Sequence, residues 1–105
     1  MRNRIYNAAI IGCGNIAGNY DTKKINKYSF THAGSYAISK RVKLIAITDN
    51  NKNNLNKFKK KWKVSKAYSD YKKMLRDEKI DILSICSPTN THFDILNHSI
   101  NNKNL

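Results

Sequence analysis

The chain contains few of the residues that build disulfide frameworks, metal clusters or membrane spans. Its 105 residues include two cysteines, one proline, four glycines and seven acidic residues. Two cysteines are too few for a disulfide scaffold or a zinc site, so we interpret Cys13 and Cys86, which end apolar runs, as reduced core residues. No apolar run approaches the roughly 20 residues of a membrane-spanning helix, and no secretory leader is recognisable. We therefore expect a cytoplasmic globular domain with no membrane partner and no bound metal.

Positive charge greatly exceeds negative charge. Lysine and arginine number 20 against seven acidic residues, giving a formal net charge of +13. Such an excess is typical of proteins that bind phosphate polyanions. Lysine and asparagine are enriched together, however, as in NNKNNLNKFKKKWK (50–63), whereas arginine, which matches phosphate and guanine edges best, is scarce. This combination is typical of an AT-rich coding sequence, so we do not expect nucleic acid to be the main partner.

Three short, isoleucine-rich runs each stop at a polar or turn-forming residue. They are Tyr6–Ile11, Val42–Thr48 and Ile80–Cys86. Short, nearly unbroken apolar runs are typical of strands buried on both faces of a parallel sheet. A very short strand is expected at Lys66–Tyr68.

Apolar stripes with helical spacing lie between and after these runs. Ser69 or Asp70 is placed to cap the second of the three stripes. The stripes are Leu55, Phe58 and Trp62, then Tyr71, Met74 and Leu75, then Phe93, Leu96 and Ile100. Strands and helices thus alternate, which predicts an α/β fold. We expect a doubly wound, Rossmann-like parallel sheet with helices on both faces, forming one domain over residues 1–105.

A glycine-rich segment, GCGNIA, follows the first strand directly. It matches the dinucleotide-binding pattern G-x-G-x-x-[G/A]. Gly12 would allow the tight turn, Gly14 would let a pyrophosphate approach the backbone, and Ala17 would let helix and strand pack closely. The N–H groups near Asn15 and Ile16 would then point at the anion. Glycines in an ordinary turn are the alternative.

An acidic residue, Asp49, ends the second strand, where it can hold the hydroxyls of an adenosine ribose. Asn50 follows it rather than arginine, which favours NAD over NADP. A helix cap or turn residue is the alternative role. Asp49 lies farther from the glycines than the usual spacing of about 20 residues, and we assign the excess to an insertion at Asp21–Ser29. Tyr20 and His32 beside that insertion are candidate cofactor contacts, or ordinary loop residues.

The third main strand ends in Ser87-Pro88-Thr89, and His92 follows in the first turn of a helix. In a doubly wound sheet this strand lies beside the first, so its carboxyl end borders the crevice where ligands bind. Together with GCGNIA, the acid at Asp49, YSDYKKML (68–75) and SPTNTH (87–92), this segment gives a specific resemblance. The chain resembles the N-terminal dinucleotide-binding domain of the Gfo/Idh/MocA oxidoreductases over nearly its whole length.

The resemblance implies an NAD cofactor, with NADP as the alternative, and a sugar, cyclitol or sugar-nucleotide substrate. It implies that Gly12, Gly14, Asn15 and Ile16 cradle the pyrophosphate and that Asp49 binds the adenosine ribose. Ser87, Pro88, Thr89 and His92 would line the pocket near the nicotinamide.

The same resemblance places the catalytic lysine in an E-K-P motif on the next strand, and the substrate site in a further α/β domain. The 105 residues contain no E-K-P, so we expect this chain to have no catalytic residue and little turnover alone. Family oligomers form through that further domain, so a homo-oligomer is implied for the full-length protein. A non-catalytic dinucleotide-binding sensor or partner-binding module is the alternative.

Overall fold

Four strands form one parallel sheet in the computed structural model, which describes residues 4–14, 17, 32–87 and 92–100, with His92 and Phe93 described by their backbone. The strands run in the order β3-β2-β1-β4. They are β1 (Tyr6–Ile11), β2 (Val42–Thr48), β3 (Lys66–Tyr68) and β4 (Ile82–Ile85).

Helices follow each strand, as predicted. They are α1 (His32–Ile38), α2 (Lys52–Trp62), α3 (Tyr71–Asp77) and α4 (His92–Ile100). The predicted element order and the doubly wound parallel sheet are confirmed. The last strand is shorter than the predicted Ile80–Cys86, although its flanks still bond to β1: Asp81 N–H donates to the Asn7 carbonyl and Cys86 N–H to the Ile11 carbonyl.

Each face of the sheet carries its own apolar core. The first core lies under α1 and α2 and contains Ile10 and Ile47 from the sheet with Leu55 and Phe58 from α2. The second lies under α3 and α4 and contains Ala9, Ile11 and Ala46 with Met74, Leu75 and Ile95. Neighbouring residues of β1 thus point to opposite faces, which is why that strand is nearly continuous in apolar residues.

Short polar side chains cap the N-termini of α2 and α3 at the carboxyl edge of the sheet. Asn51 caps α2 and accepts the Asn54 N–H at 3.1 Å. Asp70, one of the two predicted caps, begins α3 by accepting the Lys72 N–H at 3.0 Å. These caps satisfy N–H groups that have no partner inside the helix, and they fix where each helix begins relative to the sheet.

The predicted apolar stripe of α4 is wrong. Leu96 is 51% and Ile100 73% exposed, whereas Ile95 and Ser99 are buried. Phe93 belongs to the same predicted stripe, and its side chain lies outside the described residues. The helix is rotated so that Ile95 enters the second core, and the buried Ser99 hydroxyl donates to the Ile95 carbonyl at 2.7 Å. That bond satisfies the hydroxyl, so a polar residue takes a core position.

The pairing of β1 with β2 contains one irregularity. Ala8 pairs with Leu44 and Ala9 with Ala46, so the register shifts by one residue and Ile45 is the extra residue of a bulge. Ile45 and Ala46 consequently both contact the second core.

The described helices are too short and too polar to cross a membrane.

Candidate functional site

The carboxyl ends of the strands open into a cleft of about 850 Å³. Ligand sites in proteins are typically about 300–1,000 Å³, and open α/β sheets bind ligands at this edge. The loops after β1, β2, β3 and β4 all contribute to the cleft. The described residues that line it are Ile11, Gly12, Cys13, Gly14, Thr48, Asp49, Asn50, Asn51, Asn54, Ser69, Asp70, Tyr71, Cys86, Ser87 and Ile95.

Gly12 follows β1 directly, in a conformation that residues with a side chain rarely adopt. Its φ is +97°, and a Cβ placed there would lie 2.7 Å from both the Cys86 carbonyl carbon and the Ser87 nitrogen. Its N–H donates to the Thr48 carbonyl at 2.7 Å. Because the loops after β1 and β4 touch at this point, the missing side chain lets the backbone turn into the cleft.

Gly14 has a different environment from Gly12. A Cβ built on Gly14 meets no heavy atom within 4 Å among the described residues. The residue lines the cleft, so the space above its backbone is open to a ligand. Packing within the described protein therefore does not account for a glycine here, whereas close approach of a ligand would.

Asp49 joins the glycine loop to the start of α2. Its Oδ2 accepts the Cys13 N–H and its Oδ1 accepts the Asn51 N–H, each at 2.8 Å. The Asp49 N–H in turn donates to the Tyr68 carbonyl at 3.2 Å. The turn role considered from the sequence is therefore present. Each carboxylate oxygen has a second lone pair, so the same group retains the capacity to accept ribose hydroxyls.

The two thiols beside this loop are held in the neutral form. Burial, then the Asp49 and Cys86 charges, raise the pKa of Cys13 from 9.0 to about 12. Burial raises the pKa of Cys86 from 9.0 to about 11. The Cys13 Sγ lies 3.6 Å from the Thr48 carbonyl oxygen, to which it donates. Both cysteines are thiols, as expected, and neither offers a thiolate nucleophile near neutral pH.

The predicted site residues fall into three groups: those that line the cleft, one that is described but lies elsewhere, and those outside the described residues. Gly12, Gly14, Asp49 and Ser87 all line the cleft. His32 is exposed at the start of α1 and is not among the described lining residues. Outside the described residues lie Asn15, Ile16, Tyr20, the 21–29 insertion, Pro88, Thr89 and the side chain of His92.

Several lining residues were not predicted. Asn51, Asn54 and Tyr71 come from the first turns of α2 and α3, and Ile95 comes from α4. The sequence offers a signal for the first three, because each lies shortly after a predicted strand, where side chains reach the carboxyl edge. Among the described residues no group of three or more His, Cys, Asp or Glu is placed to hold a metal ion.

Comparison with known proteins agrees with this geometry. The family GFO_IDH_MocA, described as "Oxidoreductase family, NAD-binding Rossmann fold", matches residues 6–104. Myo-inositol 2-dehydrogenase of Thermotoga maritima is 38% identical over 53 residues, which are 50% of this chain and 16% of that protein.

Solved structures share the fold over almost the whole chain. Myo-inositol 2-dehydrogenase from Lactobacillus plantarum superposes with a TM-score of 0.75 at 29% identity, covering 93% of this chain and 26% of the other. Scyllo-inositol dehydrogenase from Lactobacillus casei, solved with NAD(H) and scyllo-inositol, has a TM-score of 0.74 at 24% identity, covering 93% and 26%. The chain thus spans about a quarter of the length of these two structures.

Proposed function

Because the chain belongs to the Gfo/Idh/MocA oxidoreductase family and has its NAD-binding Rossmann fold, we propose that it is the cofactor-binding portion of an NAD-dependent dehydrogenase. The substrate would be a sugar, cyclitol or sugar nucleotide that reacts at a CH–OH group. One observation carries the proposal: Gly14 and Asp49 line the same cleft. A Cβ at Gly14 would meet no described heavy atom within 4 Å, and the Asp49 carboxylate accepts the N–H of the neighbouring Cys13 at 2.8 Å.

The pyrophosphate is proposed to lie over the glycine loop. Gly14 leaves open space above its backbone, and the following residues, Asn15 and Ile16, would donate their N–H groups to the anion. Asp49 would accept the 2′- and 3′-hydroxyls of the adenosine ribose with its remaining lone pairs. Its negative charge would also repel a 2′-phosphate at that position, so NAD is favoured over NADP.

The nicotinamide is proposed to lie toward the loop after β4. Ser87 lines the cleft beside Gly12, and Pro88, Thr89 and His92 would complete this side. When bound, the cofactor supplies hydride transfer, and the protein's task is to bind and orient it. The described residues fit such a ligand, because the cleft is large and its bare glycine backbone adjoins one carboxylate.

Proton transfer and substrate binding are proposed to come from residues outside these 105. The family resemblance assigns proton transfer to a lysine in an E-K-P motif, which the chain does not contain. In the described cleft the two thiols stay protonated near neutral pH, so they do not replace such a base. Inositol dehydrogenases among the relatives support a polyhydroxylated substrate. On this proposal the chain alone binds NAD with little or no turnover.

Calorimetric titration of the purified chain tests the proposal. NAD should bind saturably at one site, NADP more weakly, and Gly14→Val should abolish the NAD signal while the circular dichroism spectrum stays unchanged. If the chain shows no NAD binding but is retained on DNA in a salt-dependent manner, the proposal is wrong. If a protein that contains this chain together with an E-K-P segment bound NAD but showed no dehydrogenase activity, a sensor module would be favoured instead.

A further inference from the structure

The outer edge of β4 carries backbone groups that no described strand pairs with. β4 is last in the order β3-β2-β1-β4, so only one of its sides has a neighbour among the described strands. The Cys86 N–H donates to the Ile11 carbonyl of β1. Hydrogen-bonding groups alternate in direction along a strand, so the N–H and C=O groups of Leu83 and Ile85 point away from β1. Such an edge can accept a further strand.

Two apolar side chains of α4 lie beside this edge. Leu96 and Ile100 are the most exposed of the described large apolar residues. The His98 ring of α4 contacts Tyr71 of α3, and at 3.6 residues per turn Leu96 and Ile100 lie about 160° around the helix from His98. They therefore face away from α3. Because α3 contacts β2 and β3, this flank of α4 lies toward the β4 edge.

Positive charge is absent from this part of the chain, which otherwise has a net charge of +13. The sequence from Ile80 to Asn102, which includes β4 and α4, contains neither lysine nor arginine. The opposite edge differs, because α2 is rich in lysine and the edge strand β3 carries the exposed Lys66. Charged residues on an edge strand discourage pairing with another chain, and β4 has none. Two highly positive chains repel each other, so approach through the β4 side is the least opposed.

We propose that a second copy of the 105-residue chain covers this β4–α4 face, defined by the outer edge of β4 with Leu96 and Ile100. A twofold axis perpendicular to the sheet would place the two β4 strands antiparallel, with Leu83 and Ile85 bonding across the axis. The two α4 helices would then lie side by side on one face of the joined sheet, where Leu96 and Ile100 bury each other. The face lies outside the described lining of the cleft, so the inference does not rest on the proposed function.

Sedimentation velocity of the purified chain tests the association. The mass should rise from 12.1 kDa toward twice that value as the concentration approaches about 500 μM, since small interfaces have micromolar or weaker affinities. Added salt should strengthen the association, because it screens the repulsion between the chains.

Two lysine variants of equal charge locate the interface. Leu96→Lys brings like charges together across the axis and should raise the dissociation constant at least about 10-fold. Ile38→Lys is the matched control, since Ile38 is 39% exposed but lies on α1, over the other face of the sheet. It should associate like the unmodified chain. Circular dichroism checks that both variants are folded. Equal weakening in both variants would assign the effect to net charge and overturn the inference.

Hydrogen exchange followed by NMR gives a readout that nonspecific association would not move. The Leu83 and Ile85 amides should exchange more slowly at high than at low concentration, whereas the amides of β3 at the opposite edge should be unaffected. A chain that stays monomeric at about 500 μM, or that associates without slower exchange at Leu83 and Ile85, overturns the inference. NAD titration of the monomeric Leu96→Lys separates the two proposals, because its outcome bears only on the proposed function.

Discussion

The Asp49 carboxylate accepts the Cys13 backbone N–H at 2.8 Å, so the loop after the first strand is tied to the end of the second. Its other oxygen holds the Asn51 N–H at the same distance. One side chain therefore fixes the glycine loop and the entry to α2 before any ligand is bound. These two hydrogen bonds hold the carboxylate in one orientation. Little side-chain freedom is therefore lost when Asp49 accepts further hydrogen bonds from a ligand.

Asp49→Ala should weaken NAD binding by about 1–3 kcal/mol, or about 5- to 150-fold, because ribose hydroxyls lose their acceptor. The same change should accelerate hydrogen exchange at the Cys13 amide, which loses its partner. Calorimetry and exchange followed by NMR measure the two effects. Asp77→Ala is the matched control, since Asp77 pairs with exposed Arg76 on α3, and it should change neither quantity. Unaltered NAD affinity in Asp49→Ala would remove this residue from the site.

The two glycines of the loop should respond differently to substitution. Gly12→Ala places a Cβ 2.7 Å from the Cys86 and Ser87 backbone and keeps an unfavourable φ, so it should lower the free energy of unfolding by about 3 kcal/mol or more. A Cβ at Gly14 meets no described heavy atom within 4 Å, so Gly14→Ala should change the free energy of unfolding by less than about 1 kcal/mol while weakening NAD binding. Urea unfolding and NAD titration separate these effects, and equal destabilisation by both changes would contradict the assignment.

The orientation of α4 predicts opposite outcomes for adjacent residues. Ile95 is buried in the second core and Leu96 is 51% exposed. Ile95→Ala should cost about 2–5 kcal/mol of unfolding free energy through the cavity it leaves, whereas Leu96→Ala should stay within about 1 kcal/mol. Urea melts of the two variants compare them directly. If Leu96→Ala lowered the free energy of unfolding more than Ile95→Ala, the apolar stripe predicted from the sequence would be correct and the orientation of α4 described above would be wrong.

Alkaline pH should destabilise the domain through its thiols. The pKa of Cys13 is raised to about 12 and that of Cys86 to about 11, from 9.0. The folded state therefore binds these protons more tightly than the unfolded state. The stabilisation is present below about pH 9 and is lost as the pH rises through the folded values. Thermal melts from pH 8 to pH 11 should show a falling midpoint, and a Cys13→Ala, Cys86→Ala double variant should show a smaller fall.

Strand positions were predictable because buried parallel strands leave little freedom in composition. Tyr6–Ile11 and Val42–Thr48 are found as expected, since both runs are largely apolar and stop where the chain turns. The short strand Lys66–Tyr68, expected between two helices, is also found. The described site residues follow from the same rule, because Asp49 comes directly after β2 and Ser87 lies two residues after β4.

The orientation of the last helix was not predictable from periodicity. Leu96 and Ile100 form an apolar pair at helical spacing, and Ile95 with Ser99 forms another pair that contains a hydroxyl. The sequence favours the first pair, but the Ser99 hydroxyl is satisfied by the carbonyl one turn earlier, so polarity alone misleads. Which pair faces the core depends on how well its side chains pack against Met74 and Leu75 of α3, and this packing cannot be read from spacing along the helix.

The extra residue in the second strand determines which face of the sheet each following side chain meets. Side chains alternate along a regular strand, so if Ile45 were paired in register, Ala46, Ile47 and Thr48 would face the opposite layers. With the bulge, Ile47 joins the first core, while Thr48 reaches Met74 in the second, and Asp49 emerges on the side of Cys13. The bulge thus decides the layer in which the last three side chains of β2 lie and the side on which Asp49, four positions after Ile45, leaves the sheet.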